Sequence, residues 1–429
     1  MFELEKIKEQ ITEGLESFRT NKKTVYHTGL LFFSQAVVLI FGFITKGIQT
    51  RALTPEGYGL YAFFTALTSF SVLFFNLGLF SSLEVMLATN VDKQKEKELL
   101  GTGFVLTFFI GIIFSLFLLG ASFFVDGIYR IQFSDALRLA VPLCFALPFR
   151  LLIPSLAIGT GKIEKAALYD VLFQLLFSAA LAGLFFYSSL TLEEIILLNL
   201  SFSILAVIVI MYLFRPSFRN FSARFKEIKF KIKEFGIHYY TGSIFSETTY
   251  KLDEILIPYF INTVQLGYYS LANIICSPMV MLSNALSAAL FKRFAQEKYI
   301  SGKIFAFNIL WIIISFAVLY SLSGYIIRIL FGNQFSGIEL YIIPLSISYI
   351  FKTLCQPFAF LTAKGKGKEM RNVAVMEGIT SIITNFTFIP LWGVMGAVYS
   401  SIIARAVDFI GLYYYYRKYV RETEIEERK

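Results

Sequence analysis

Apolar residues in this chain come in long runs separated by short polar clusters, and the length of the runs decides what they are. Crossing about 30 Å of hydrocarbon takes about 20 helical residues, so runs of that size read as membrane-spanning helices. The pattern predicts about twelve, with cores near 25–49, 58–88, 99–125, 136–160, 164–188, 191–214, 237–260, 266–291, 303–329, 338–362, 371–391 and 395–416. The expected fold is therefore an all-α polytopic membrane protein. The second run is too long for one straight crossing, so it bends near Gly78 or extends past the membrane. Before the first run, Leu4, Ile7, Ile11, Leu15 and Phe18 recur every three or four residues, which predicts an amphipathic helix over 1–24 at the membrane surface or against the protein. Between the sixth and seventh runs, segment 215–236 carries Phe221, Phe225, Ile228, Ile232 and Phe235 as an apolar stripe beside Arg224, Lys226, Lys229, Lys231 and Lys233. It reads as a basic surface helix joining two lobes, 25–214 and 237–417, with a charged tail over 418–429.

Composition removes the soluble alternatives: 56% of the 429 residues are hydrophobic, 16% are charged, and the mean hydropathy is +0.65. The net charge of +9 does not point to nucleic acid, because Lys and Arg gather between apolar runs and no nucleic-acid motif accompanies them. They also gather on one side. The N-terminus, the loops after even-numbered runs and the C-terminus hold nearly all of them, whereas the loops after odd-numbered runs hold chiefly Arg51, Arg130 and Arg328. Positive loops stay in the cytoplasm, which predicts a multi-pass protein of the inner membrane with both termini cytoplasmic and an even number of spans.

Weak internal similarity divides the runs into halves. Gly57, Tyr58 and Ala62 after the first run match Gly267, Tyr268 and Ala272 after the seventh, His27 and Gly29 match His238 and Gly242, and LAIGTGKIEK at 156–165 matches FLTAKGKGKE at 360–369. Similar order at a similar offset predicts two six-helix parallel repeats around a central cavity.

Charges inside the runs are the candidate chemistry, since a buried charge in a bilayer is costly and turns toward protein or water. The seventh run is the most polar: at helical spacing Tyr240, Ser243, Glu247, Lys251 and Glu254 share a face, with Asp253 beside them. Two readings of that face stay open, a self-neutralising ion network and a ligand-facing surface. Lys46, Arg150, Lys352 and Arg405 add cations, Glu84, Asp170, Glu377 and Asp408 add acids, and Gln35, Asn273 and Asn284 add amides that either bind sugar hydroxyls or join helices. The third, sixth and ninth runs have few charges at their centres and are expected on the periphery. Pro142, Pro148 and Pro154 interrupt the fourth run, and Pro344 and Pro357 the tenth, as static kinks or moving gates.

No enzyme signature is found. GTGKI at 159–163 fails the phosphate-loop spacing, the two histidines lack metal-ligand companions, and Cys144, Cys276 and Cys355 lie inside apolar runs as packing residues. No cofactor is called for.

The stretches IQTRALTPEGYGLYAFFTALTSF at 48–70, DEILIPYFINTVQLGYYSLANIIC from Asp253, and IPLWGVMGAVYSS before the last run resemble the Wzx-type polysaccharide flippases. These belong to the multidrug/oligosaccharidyl-lipid/polysaccharide exporter superfamily. The resemblance implies two six-helix lobes, alternating access, and transfer of a polyprenyl-pyrophosphate-linked oligosaccharide from the inner to the outer leaflet of the bilayer. Such a substrate needs cations for its phosphates and amides for its sugars, which makes Lys46, Arg150, Lys251, Lys352, Arg405, Gln35, Asn273 and Asn284 the expected substrate contacts. Glu84, Asp253, Glu254 and Glu247 are the expected sites of coupling to H⁺ or Na⁺, and polysaccharide polymerase machinery is an expected partner. A cation-coupled multidrug exporter on the same scaffold is the alternative.

Overall fold

The computed structural model describes residues 33–187, 189–237, 240–241, 244 and 251–428. The chain is an all-α polytopic membrane protein, with no strand among the described residues. In the first half, α1 (Phe33–Ala52), α2 (Pro55–Ser71), α3 (Leu79–Ala88), α4 (Lys93–Ser122), α5 (Ser134–Cys144), α6 (Phe149–Thr160), α7 (Ile163–Tyr187) and α8 (Leu192–Phe214) lead to the basic connecting helix α9 (Phe221–Lys231). The second half comprises α10 (Leu252–Phe260), α11 (Thr263–Cys276), α12 (Pro278–Gln296), α13 (Gly302–Ile326), α14 (Glu339–Cys355), α15 (Gly367–Trp392) and α16 (Val394–Arg428). Among the described residues, 10 helical stretches are long and apolar enough to span a membrane, or 11 if α11 and α12, bent by 47° at Ser277, form one span. The expected seventh run lies partly outside the described residues, and the amphipathic N-terminal segment over 1–24 lies wholly outside them.

Local chemistry sets the breaks. Thr54 and Asn262 cap α2 and α11 by accepting from Gly57 N at 3.2 Å and Gln265 N at 2.9 Å. The second run does bend at Gly78: α2 tightens into a short 3₁₀ turn, Leu77 and Gly78 take φ of 47° and 76°, and α3 restarts. Glycine is needed there for space as well, since a Cβ would stand 2.3 Å from the Gly236 carbonyl carbon of the connection between the halves. In the fourth run α5 and α6 are separate helices, and Pro148 directly precedes α6. The connecting helix α9 is bolted to the start of α4 by Arg224, which reaches Glu98 at 2.9 Å and Glu227 at 2.5 Å, while Lys95 reaches Glu227 at 2.9 Å.

The distribution of apolar cores gives the molecule its shape. One core draws on both halves, joining Tyr58, Phe63, Phe133 and Ile196 to Ile257, Tyr269, Phe335 and Ile342. A second lies within the first half around Leu83, Leu100, Leu152 and Ile210, and a third within the second half around Phe294, Phe358, Phe360 and Tyr416. The shared core sits at the helix ends joined by the α1–α2 and α10–α11 loops; the separate cores sit at the opposite ends. The halves are thus fused at one end and independent at the other.

At the fused end the backbones touch. A Cβ on Gly59 of α2 would stand 2.3 Å from the Thr263 carbonyl oxygen of α11, and one on Gly267 3.2 Å from the Gly59 Cα. Gln334 Nε2 donates to the Thr50 carbonyl at 2.6 Å, Arg51 Nη2 donates to the Ile329 carbonyl at 2.5 Å, and Tyr58 and Tyr268 present edges to Phe335 at 5.8 and 5.9 Å.

Candidate functional site

Two adjoining cavities meet at the start of α10, the first between the halves and the second within the second half. The first, of about 410 Å³, is lined by Thr65, Thr68 and Ser69 of α2, Arg150 of α6, Asn199 of α8 and Ser270 of α11. The second, of about 280 Å³, is lined by Asp253, Tyr269, Asn273, Tyr349, Lys352, Glu377, Ser401 and Arg405. Lys251 and Glu254 line both, joined by a 3.2 Å ion pair, so the two form one chamber with this pair as its partition.

Arg150 is held without a carboxylate. Its Nε donates to Ser203 Oγ at 3.3 Å, its Nη2 to Asn199 Oδ1 at 3.1 Å, and its guanidinium lies 4.7 Å from the centre of the Phe173 ring. Asn199 in turn donates to Tyr61 Oη at 3.3 Å. Among the described residues no carboxylate forms a direct ion pair with it, and Asp170 of α7 acts on it only at longer range. Lys352 is similar, its ammonium resting 5.5 Å from the centre of the Tyr349 ring with no ion pair among the described residues. Arg405 differs: it pairs with Glu377 at 2.9 Å, with side-chain exposures of 13% and 4%. Asp253 is buried near the start of α10, where the helix N-terminus favours a carboxylate; it accepts from its neighbour Glu254 N at 2.9 Å and from the Tyr269 hydroxyl, which also lies 3.2 Å from Ser401 Oγ.

The remaining sequence candidates fall elsewhere or have other partners. Lys46 sits outside the lining of both cavities, its ammonium 4.8 Å from the centre of the Tyr61 ring and 3.0 Å from Gln49 Oε1. Gln35 and Asn284 are exposed and line neither cavity, and Glu84 on α3 is half-buried away from both. Asn273 does line the chamber, but its amide donates to the Tyr269 carbonyl at 3.2 Å and accepts from the Tyr349 hydroxyl at 3.1 Å. Glu247 lies outside the described residues. Lys251 occupies the turn that opens α10.

Asn199, Tyr61, Tyr269 and the hydroxyls of α2 were not among the sequence candidates. Thr65, Thr68 and Ser69 repeat at helical spacing inside an apolar run, a legible signal; Asn199 is the lone amide of its run. The sixth run, expected on the periphery, instead carries the groups that hold Arg150, because neutral amides and hydroxyls anchor an arginine as readily as charges do.

The Glu377–Arg405 pair separates structural from functional charge. Arg405→Gln leaves a buried carboxylate without its guanidinium and is expected to cost about 3 kcal/mol, whereas the double substitution with Glu377→Gln recovers most of it. Thermal unfolding of the detergent-purified single and double variants measures both.

A family model described as "Polysaccharide biosynthesis protein" matches residues 25–298. A Shigella flexneri protein that carries the provisional name of O-antigen transporter is 22% identical over 409 residues, covering 90% of this chain and 96% of that protein. Among solved structures, an inward-facing multidrug resistance MATE family transporter of the MOP superfamily superposes with a TM-score of 0.67 at 14% identity, over 89% of this chain and 96% of that one. An outward-facing MATE transporter superposes at 0.64 with 15% identity, over 94% and 96%.

Proposed function

We propose, since this chain belongs to the polysaccharide biosynthesis protein family, that it moves a polyprenyl-pyrophosphate-linked oligosaccharide from the inner to the outer leaflet of the inner membrane by alternating access. The observation that carries this reading is a chamber that runs from between the halves into the second half and holds a cation without a direct ion pair in each part, Arg150 in the first cavity and Lys352 in the second. Its lining holds four cations, Arg150, Lys251, Lys352 and Arg405, against three carboxylates, Asp253, Glu254 and Glu377. An anionic head group gains from that excess, and a cationic drug is repelled by it. Hydroxyls on α2 donate to carbonyls of their own helix and keep oxygen lone pairs as acceptors for sugar. Halves fused at one end and separate at the other describe a transporter poised with one gate shut, and positive loops put the open end in the cytoplasm.

Coupling to H⁺ or Na⁺ is assigned to Asp253, whose carboxylate meets the Tyr269 and Ser401 hydroxyl pair across α10, α11 and α16. Glu254 is engaged by Lys251 and Glu84 lies outside the chamber, so both rank behind it. A cation-coupled multidrug exporter is the second reading, favoured by the MATE-like fold.

Reconstituted protein given a fluorescent polyprenyl-pyrophosphate oligosaccharide in one leaflet is expected to equilibrate it between leaflets, read by protection from an impermeant quencher. Cation export with no movement of the lipid-linked sugar establishes the second reading instead. Orientation is tested separately: single cysteines at Glu227 and Asn262 in a cysteine-free background are expected to react from opposite faces, with Asn262→Cys alone labelled by an impermeant reagent in spheroplasts.

A further inference from the structure

Between the first cavity and the fused end, side chains of α1 and α2 gather hydrogen-bond donors with almost nothing to accept from them. The helix α2 runs inward from that end, so Tyr61 stands about one turn outward of Thr65 in the cavity wall, and Tyr58 about one turn further. Lys46 of α1 lies against both rings, its ammonium 5.5 Å from the centre of Tyr58 and 4.8 Å from that of Tyr61. It donates to Gln49 Oε1 at 3.0 Å, which leaves protons of the ammonium unused. Among the described residues no carboxylate pairs with Lys46 or acts on it at longer range, unlike Arg150, which Asp170 reaches, and Lys352, which Glu377 reaches. Gln49 and Tyr58 are fully buried, yet Gln49 Nε2 and Tyr58 Oη have no hydrogen-bond partner among the described residues. The Tyr58 hydroxyl is directed toward Ser270 of the cavity wall, outside bonding geometry. A chain of bonds leads from this cluster down to the chamber cation: Asn199 donates to Tyr61 Oη at 3.3 Å and accepts from Arg150 Nη2 at 3.1 Å.

Buried polar atoms are rarely left unbonded, and unsatisfied donors around a cation call for an anion rich in acceptors. We propose that Lys46, Gln49 and Tyr58 form a second phosphate site in the roof of the chamber, and that the substrate's pyrophosphate opens the fused end by passing from Arg150 into it. The inference rests on the function proposed above. In this state the roof is closed, because Tyr58 packs edge-on against Phe335 of the second half at 5.8 Å and Gly59, next in sequence, lies against the Thr263 carbonyl. Filling the site therefore parts α2 from the second half. A ligand shifts such an equilibrium only by binding one state better than the other, and Lys46 supplies the difference. Closed, its ammonium meets one amide oxygen and two ring faces; opened, it meets phosphate oxygens. An uncharged cargo gains nothing at Lys46. The outer gate thus answers to the charge of the head group.

The test uses full-length protein in lipid nanodiscs, with Arg51→Cys and Ile329→Cys across the fused end of a background without the native cysteines. A short bifunctional thiol reagent bridges the pair while that end is closed. Polyprenyl pyrophosphate is expected to lower bridging about fivefold, and polyprenol, which lacks the charge, to leave it unchanged. Lys46→Met is expected to bridge fully with or without the pyrophosphate. It is also expected to unfold at a temperature no lower than the parent's, because removing a cation that has no carboxylate partner strands no charge. Lys46→Arg keeps the response, and Tyr58→Phe, which removes only an unpartnered hydroxyl, keeps the fold and weakens the response. A parent whose bridging ignores the pyrophosphate, or falls equally with polyprenol, overturns the inference. So does a Lys46→Met variant that opens like the parent, or one that loses stability while Tyr58→Phe opens like the parent; the cluster is then packing and internal water only. If the parent still moves the lipid-linked sugar in the quencher assay, each of these results leaves the flippase reading standing. Absence of that movement removes both.

Discussion

Arg150→Ala is expected to lower transport by ten- to a hundredfold with little change in the amount of folded protein. Hydrogen bonds to a charged group contribute about 1.5–3 kcal/mol, which is the scale of that loss if Arg150 grips the pyrophosphate. The folded state gives up less, because the groups bonded to the guanidinium, Ser203, Asn199 and the Phe173 ring, are neutral, and Asp170 feels its charge only at longer range. Arg150→Lys is expected to restore part of the activity, since an ammonium keeps the attraction but not the planar fork that holds two oxygens at once. Arg150→Gln separates the alternatives. It can keep a hydrogen bond to Asn199 without the charge, so a Gln variant as active as the parent would show that Arg150 only joins α6 to α8. Transport in proteoliposomes and abundance by quantitative blot, measured on the same preparations, give the comparison.

Gly59→Val is expected to abolish transport by wedging open the fused end. The new Cβ would stand 2.3 Å from the Thr263 carbonyl oxygen and 2.5 Å from its carbon, and both belong to backbone that has no rotamer to yield. Something must shift, and the contact lies where α2 crosses α11 inside the core shared by the two halves. Parting the halves there loosens the edge contacts of Tyr58 and Tyr268 on Phe335. Cysteines at Arg51 and Ile329, on opposite sides of the junction, are expected to be bridged readily by a short bifunctional thiol reagent in the parent and poorly in the Gly59→Val variant. Gly183→Ala supplies the control: nothing lies within 4 Å of its added Cβ, and a mid-helix glycine replaced by alanine gains about 0.5–1 kcal/mol. A Gly59→Val variant that still crosslinks and transports would show that the crossing adapts.

Membrane class and helix positions were legible because they depend on near-local quantities. The run over 303–329 became a continuous helical stretch from Gly302 to Phe331, and the long second run broke at Gly78, where only a residue without Cβ fits against the other half. Family membership was legible for a similar reason, since the RALTPEGYG stretch and the block from Asp253 are contiguous. Sequence also placed Arg150, Lys251, Lys352 and Arg405 among the functional candidates, by the single argument that charge in a bilayer must face something other than lipid.

Which of those charges is available was not legible. Arg405 and Lys352 look alike along the chain, yet Arg405 forms a direct ion pair with Glu377, 28 residues away on a packed helix, and Lys352 forms none among the described residues. Lys46 reads as a chamber cation and instead lies against the Tyr61 ring; Asn199, which is not among the sequence candidates, lines the chamber. Sequence by itself determined how many polar groups each helix carries into the membrane and at what depth, because the 1.5 Å rise turns residue number into height. Only the tertiary structure decided which way each helix is turned and which helix it meets, and a rotation of one residue, about 100°, exchanges a chamber wall for a lipid face.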